Sequence, residues 1–387
     1  MSNRVRASVL ALTAAGIAAA VACGGSASND DGATARDGGA PPPVVDAAPG
    51  TDAAIAHDAA PTCSPDVRTD PKNCGSCRHD CLGSPCLAGQ CVPVVVAGSL
   101  DSPAAIALDA THVYWQSEKN GLVFRVAKAG GATEPLTSAP VDSQALARPQ
   151  LYVDATHVYF TNNDKQAVQR VPLAGGPAET VVTLLNQVPT FTADADTIYV
   201  GAGSFYAAAT LYRTKKNAPQ VSTAMGDVFG LVSLAVDDTT LYWTEIEGVT
   251  AATSGSVRAI SKTSTADAGA PTVLADKQGN PTSITVGAQV YWGNTDTGAV
   301  KTVSKAGGAA VSIAAAQFQP ASIAIDAANI YWINLGNGKV MTCPLAGCSA
   351  GPRALAVDQA SPTSLAVDDT AVYWTAKTGG AVMKVAK

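Results

Sequence analysis

Ile106-Ala107-Leu108-Asp109-Ala110-Thr111-His112-Val113-Tyr114-Trp115 sets the pattern by which the rest of the chain can be read. An apolar run ends in Asp, a tight connection follows, and a second apolar run ends in Tyr-Trp. All five tryptophans occupy that last place: Val113-Tyr114-Trp115, Leu241-Tyr242-Trp243, Val290-Tyr291-Trp292, Ile330-Tyr331-Trp332 and Val372-Tyr373-Trp374. Val158-Tyr159-Phe160 and Ile198-Tyr199-Val200 are degenerate copies that bring the count to seven. The tyrosines are 45, 40, 43, 49, 40 and 42 residues apart. A period of about 40–45 residues with several short strands per unit predicts a β-propeller.

Each copy carries more than its aromatic tag. The first apolar run ends in Asp109, Asp154, Asp194, Asp237, Asp326 or Asp368, while the fifth unit is one residue shorter and has Gly287. A carboxylate there accepts bonds from the backbone two residues on, which predicts an Asx-type turn between the first two strands. Downstream lies a third strand such as Leu122 to Val126, closed in three units by Gly130-Gly131, Gly175-Gly176 and Gly307-Gly308. Both glycines accept positive φ, as a two-residue hairpin loop demands. A fourth strand follows, for example Thr180 to Leu184 or Thr272 to Leu274. Proline opens the first strand in six units (Pro103, Pro149, Pro189, Pro281, Pro320 and Pro362), where no ladder donor is lost. Blades sandwiched between neighbours are covered on both faces, so Tyr and Trp are both expected in the core, each burying about 150–250 Å². The expected fold is all-β, a seven-bladed propeller of four-stranded antiparallel blades over residues 92–387.

The seventh unit stops after its third strand, Ala381 to Val385, and Val92-Pro93-Val94-Val95-Val96-Ala97 stands before the first unit with no unit of its own. Pairing the two hides two open edges. Val94 to Ala97 is therefore expected as the outermost strand of blade 7.

Residues 1–22 read as an export signal: Arg4 and Arg6 precede an apolar stretch, Val9 to Ala20, that is short for a membrane span. Ala20-Val21-Ala22-Cys23 resembles the lipobox of bacterial lipoproteins, with Ala20 in place of the usual Leu, and it also satisfies an ordinary A-x-A cleavage site. Of nine cysteines, six cluster at 63–91 and two sit at 343 and 348, which leaves Cys23 over for acylation. The resemblance implies a protein lipid-anchored to the cell envelope, and Gly24-Gly25 after the Cys, without Asp, implies the outer membrane. Residues 23–62 are rich in Gly, Ala, Asp, Ser and Pro and bury too little to offset chain entropy, so a disordered tether is expected.

Residues 63–91 hold Cys63, Cys74, Cys77, Cys81, Cys86 and Cys91 in a segment too small for a hydrophobic core. The run from Asp70 to Cys91 is similar to the stigma-specific-like cysteine motif of bacterial envelope lipoproteins. Three disulfides are expected, with the pairing open. Cys74-x2-Cys77 with His79 nearby is also spaced like a zinc site; an exported setting favours disulfides. Cys343 aligns with Val171 before the turn and Cys348 with the second turn glycine, which predicts a disulfide stapling the third and fourth strands of blade 6.

Catalytic signals are sparse. Besides His57 and His79, only His112 and His157 occur, at equivalent turns of the first two units and so far apart on a ring. Nucleophile-elbow, phosphate-loop and zincin motifs do not appear. Glu245, Glu247 and Asn162-Asn163-Asp164 are expected in loops at blade edges, without a complete calcium ligand set. No cofactor and no metal are expected. Net charge is −6, and loss of Arg4 and Arg6 makes it more negative, which argues against nucleic acid and anionic membrane surfaces as partners. The loops leading into each first strand repeatedly carry amides: Gln144, Asn186-Gln187, Gln278, Asn280, Gln317, Gln319 and Gln359. With Arg148, Phe229 and Phe318 they are candidates to ring one channel mouth and hold a sugar or peptide.

The Tyr-Trp repeat resembles the low-density-lipoprotein-receptor type of propeller, whose tag is Tyr-Trp-Thr-Asp. Thr follows Trp at Thr244 and Thr375, and the final Asp is absent. That family has six blades where seven are counted here, so what the resemblance implies is a rigid extracytoplasmic interaction platform. The expected function is a monomeric, non-enzymatic binding or scaffold protein for a protein, peptide or glycan ligand. The alternatives are an enzyme of the streptogramin-lyase type, which uses a histidine base and magnesium, and a structural envelope component without ligand.

Overall fold

Seven four-stranded antiparallel sheets follow one another along the chain, as the repeat predicts. The computed structural model describes residues 66–138, 149–162, 164–183, 190–203, 207–246, 255–267 and 270–387. Blade 1 comprises Pro103–Leu108, His112–Ser117, Val123–Ala127 and Glu134–Pro135. Blades 2 to 6 repeat the plan over 151–183, 190–229, 231–278, 281–314 and 320–356. Blade 7 joins Pro362–Val367, Ala371–Ala376 and Ala381–Ala386 to Val94–Ala97 from before blade 1. Val94 pairs with Lys384, Val95 with Met383 and Ala97 with Val382. The ring thus closes by borrowing its last strand, and the seam is tied further where the Thr375 hydroxyl donates to the Ala104 carbonyl at 2.7 Å.

Seven hydrophobic clusters fill the seven gaps between blades. Each sets the Tyr of one blade against the residue at the Trp position of the next: Tyr114 with Phe160, Tyr159 with Val200 and Tyr199 with Trp243. The series continues with Tyr242 and Trp292, Tyr291 and Trp332, Tyr331 and Trp374, and ends across the seam with Tyr373 and Trp115. Successive strand residues point to opposite faces, so one Tyr-Trp pair serves two gaps. All five tryptophans are at most 1% exposed, which is why the tag recurs.

The repeated Asp does more than cap its turn. Asp109 Oδ1 accepts the N–H groups of Thr111 and His112, both at 2.7 Å, and Asp368 Oδ1 those of Thr370 and Ala371. The second oxygen takes the phenol of the same blade, as from Tyr114 at 2.6 Å, Tyr242 at 2.9 Å and Tyr331 at 2.8 Å. It also takes an ammonium from the next blade. Lys216 pairs with Asp154, Lys262 with Asp194, Lys305 with Asp237 and Lys387 with Asp326, and Lys128 reaches back across the seam to Asp368 at 2.8 Å. Two gaps lack the pair. Leu173 stands at the lysine's place opposite Asp109, and Leu345 stands there opposite Gly287, where both partners are lost together.

Burial raises the Asp368 carboxyl, but Lys128 and the turn N–H groups outweigh it and hold it well below the usual carboxylate range. Asp326, against the same burial, is lowered to about 2 by Lys387 and its turn. The phenols move the other way: burial, then the bond to Asp237, pushes Tyr242 up to about 12.

The cysteine-rich segment forms disulfides Cys74–Cys86 and Cys81–Cys91, and Cys77 is disulfide-bonded as well. The sulfurs of Cys74, Cys81 and Cys91 lie within 4.8 Å of one another, but each is already in a disulfide and offers no thiolate to zinc. These cysteines join the cluster containing Tyr331 and Leu355 of blade 6 and Trp374 of blade 7. Cys343–Cys348 also forms, with one correction: Cys348 lies in the connection before the fourth strand, Arg353–Ala356, so the bond closes the turn rather than bridging two strands. Residues 1–65, with the expected export signal, Cys23, the tether and Cys63, lie outside the described residues.

Candidate functional site

First strands from all seven blades wall a central cavity of about 560 Å³. The two residues after the strand-opening proline face it. Blades 5 and 7 supply Thr282-Ser283 and Thr363-Ser364, and blade 6 supplies Ala321-Ser322. Several of these groups also tie neighbouring blades together. Gln150 bonds Thr190 at 3.0 Å and accepts the Phe191 N–H at 2.7 Å, and Ser322 Oγ accepts the Leu365 N–H at 2.8 Å. The Thr282 and Ser283 hydroxyls are buried without a hydrogen-bond partner among the described residues. Glu118 is the one ionisable side chain among the described lining residues, and Lys377 already pairs with it at 2.7 Å. The described wall is therefore made of small, hydroxylated and nearly uncharged side chains. It suits neutral hydrogen-bonding groups, and among the described lining residues no acid and base meet for proton transfer.

Four of the lead-in loops, those of blades 1, 5, 6 and 7, share one backbone conformation. Ser99 and Ser102, Lys277 and Asn280, Ala316 and Gln319, and Asp358 and Ser361 form left-handed pairs three residues apart, with φ of 49–58°. The residue after the first of each pair turns inward. Gln359 Oε1 accepts the Trp374 indole N–H at 3.1 Å, and Gln317 Oε1 accepts that of Trp332 at 3.3 Å. Gln278 acts through Asn294, which takes the Trp292 N–H at 3.0 Å; in blade 4 Glu245 takes the Trp243 N–H directly. A buried indole requires such an acceptor, so these amides are committed to the core.

Of the residues expected around the mouth, Gln359 is occupied in this way and Asn280 donates to Asp296 at 3.2 Å. Phe229, Phe318 and Gln319 are exposed, Phe318 at 61%. Phe318 and Gln319 meet the Leu335-Gly336 turn, whose N–H groups donate to their carbonyls, and Leu335 rims the cavity. The structure does not gather these residues into one cluster, and none of them lines the cavity wall. Gln144, Arg148, Asn186 and Gln187 lie outside the described residues. The wall itself was legible as Pro-Thr-Ser at 281–283 and 362–364 and Pro-Ala-Ser at 320–322, a repeat overshadowed by the prolines that open it.

His112 and His157 begin second strands beside the Asp turns, each with its ring Nδ1 at 2.8 Å from a neighbouring threonine hydroxyl. Neither lines the cavity. Glu245 and Asn162, expected in loops, instead lie buried in second strands. Glu245 meets Trp243, Ser256 and Arg258, while Asn162 donates to Gln169 at 2.7 Å. Glu247 and Asn163 lie outside the described residues.

No protein-family profile matches the chain, and no curated protein sequence matches it. Solved structures do. Virginiamycin B lyase from Staphylococcus aureus is similar at 14% identity and a TM-score of 0.61, over 76% of this chain and 98% of that one. A catalytically inactive histidine-to-alanine form of that lyase, with quinupristin, is similar at 13% identity and a TM-score of 0.60, over the same shares. The computationally designed Ika8 protein follows at 13% identity and a TM-score of 0.52, again over 76% and 98%. Similarity at this level is one of fold: the chain is a β-propeller.

Proposed function

We propose that this is an exported, lipid-anchored envelope protein whose propeller is a non-enzymatic binding platform for a neutral, hydrogen-bonding ligand, a glycan or a peptide segment. The observation that carries the reading is the cavity wall, where serine and threonine hydroxyls from successive blades surround a space whose one described carboxylate is already in an ion pair. Export fits the disulfides, which persist in oxidising compartments.

Fold similarity to virginiamycin B lyase favours a second reading, an enzyme on the same ring. Against it, that lyase is inactive as a histidine-to-alanine variant, whereas the histidines of this ring sit at the Asp turns of blades 1 and 2. Glycan and peptide arrays probed with protein lacking residues 1–23 test the proposal. One retained ligand class is expected, lost when Ser283→Leu and Ser364→Leu fill the cavity. An empty array together with consumption of quinupristin would replace binding with catalysis.

A further inference from the structure

Blade 6 differs from blades 1 and 2 at one position on its outer side. In blades 1 and 2 the third-strand arginine pairs with a fourth-strand glutamate: Arg125 with Glu134 and Arg170 with Glu179, each through Nε and Nη2 at 2.6–3.0 Å. The corresponding pair in blade 6 is Thr342 and Arg353. There the cation stands on the fourth strand, opposite Thr342 rather than a carboxylate, and the Thr342 hydroxyl is buried without a hydrogen-bond partner among the described residues.

Arg353 lines a cleft of about 530 Å³ whose other walls come from the cysteine module, Cys74 to His79 and Gly89, and from Lys387 at the end of blade 7. Among the described lining residues the other ionisable side chains are Arg78, His79 and Lys387, and none is a carboxylate. Lys387 is matched by Asp326 at 2.6 Å. Neither Arg78 nor Arg353 makes an ion pair among the described residues. Arg78 and Arg353 are both exposed, so their guanidinium groups are open to a ligand from solvent. Disulfide Cys74–Cys86 stiffens the module wall, and Gly75 there meets the Gly89 carbonyl so closely that no larger residue fits.

We propose that this cleft binds a phosphate monoester, gripped between the Arg78 and Arg353 guanidinium groups. Each guanidinium can present two parallel N–H donors to two oxygens of one anion, a geometry a lysine does not offer. In a chain of net charge −6 a cleft whose described ionisable side chains are all basic is set apart. The proposal concerns a second site and does not depend on the reading of the central cavity.

Isothermal titration of the full-length, disulfide-intact protein with inorganic phosphate, glucose 1-phosphate and plain glucose tests it. Saturable uptake of both phosphates and none of glucose is expected, weakening as salt rises. Arg353→Gln and Arg78→Gln should each weaken it about tenfold, since each removes one charge-assisted fork, while Arg125→Gln on blade 1 should not. Arg78 lies on an exposed loop, so its variant reads the site even if Arg353→Gln lowers the melting temperature. Co-sedimentation with phosphatidic-acid but not phosphatidylcholine vesicles would assign the phosphate to a lipid headgroup; glucose 1-phosphate binding without co-sedimentation would assign it to a soluble ligand. Absence of saturable phosphate uptake, or equal uptake by the parent and both variants, overturns the proposal.

Discussion

Asp368→Asn at the seam between blades 7 and 1 separates the ion pair from the turn on which it is built. Asparagine keeps the side-chain oxygen that accepts the Thr370 and Ala371 N–H groups, so the Asx turn survives. What disappears is the charge facing Lys128 at 2.8 Å, in a pair whose side chains are only 18% and 21% exposed. A hydrogen bond to a charged group contributes about 1.5–3 kcal/mol. For a ring of this length that corresponds to a fall of about 2–5 °C in melting temperature. Asp109→Asn is the matched control, with the same turn and the same phenol bond from Tyr114, but Leu173 where the lysine would stand. Its cost should be about 0.5–1 kcal/mol, that of one weakened bond. Differential scanning calorimetry of both variants against the parent reads the difference. The pH dependence has a definite sign. The folded-state pKa of Asp368 is depressed, so its contribution is complete above the unfolded carboxylate value of about 4 and is lost as pH falls through the folded value. The gap between the variants should therefore narrow in acid. Equal losses at neutral pH, or a gap indifferent to acid, would refute a stabilising Lys128–Asp368 pair.

Three further outcomes follow from the packing. Val96→Asp places a charge in the borrowed strand at a side chain 5% exposed; a loss of about 3 kcal/mol or more is expected in urea titrations, with aggregation from the freed edges, and an unchanged midpoint would contradict closure by this strand. Gln359→Leu leaves the Trp374 indole N–H without its acceptor and should cost about 1–3 kcal/mol; Trp374→Phe should then cost less in that background than in the parent, and strict additivity would show that the bond contributes nothing. Gly230→Ala puts a Cβ on a backbone with φ of +61°, against the Ile246 carbonyl; a loss above about 2 kcal/mol is expected by thermal melting, from left-handed strain and the clash together, and a neutral result would mean that this lead-in loop is free to move.

The blade count, the strand order within a blade and the borrowed strand were all legible, because each rests on a local pattern repeated along the chain. Tyr-Trp pairs mark second strands, Gly130-Gly131 and its copies mark third-to-fourth turns, and an unpaired Val94–Ala97 meets a blade short of one strand. The Asx turn was legible too, since its bonds run within four residues. Half of what the Asp does was not. Lys128 and Asp368 are 240 positions apart, and only the closing of the ring brings ammonium to carboxylate.

The amides show the same division. Gln317 and Gln359 recur in lead-in loops, which by sequence suits a channel mouth, yet the loop backbone turns them onto buried indoles instead. The chain by itself determined how many blades there are, which residues fill the gaps and where the turns fall, because periodic burial and turn chemistry act over a few residues at a time. Only the tertiary structure decided which polar groups spend themselves inside and which face the cavity or the cleft beside Arg353. Hydrogen-bond partners are chosen by distance in space, and residues one blade apart in the ring are some forty or more apart along the chain.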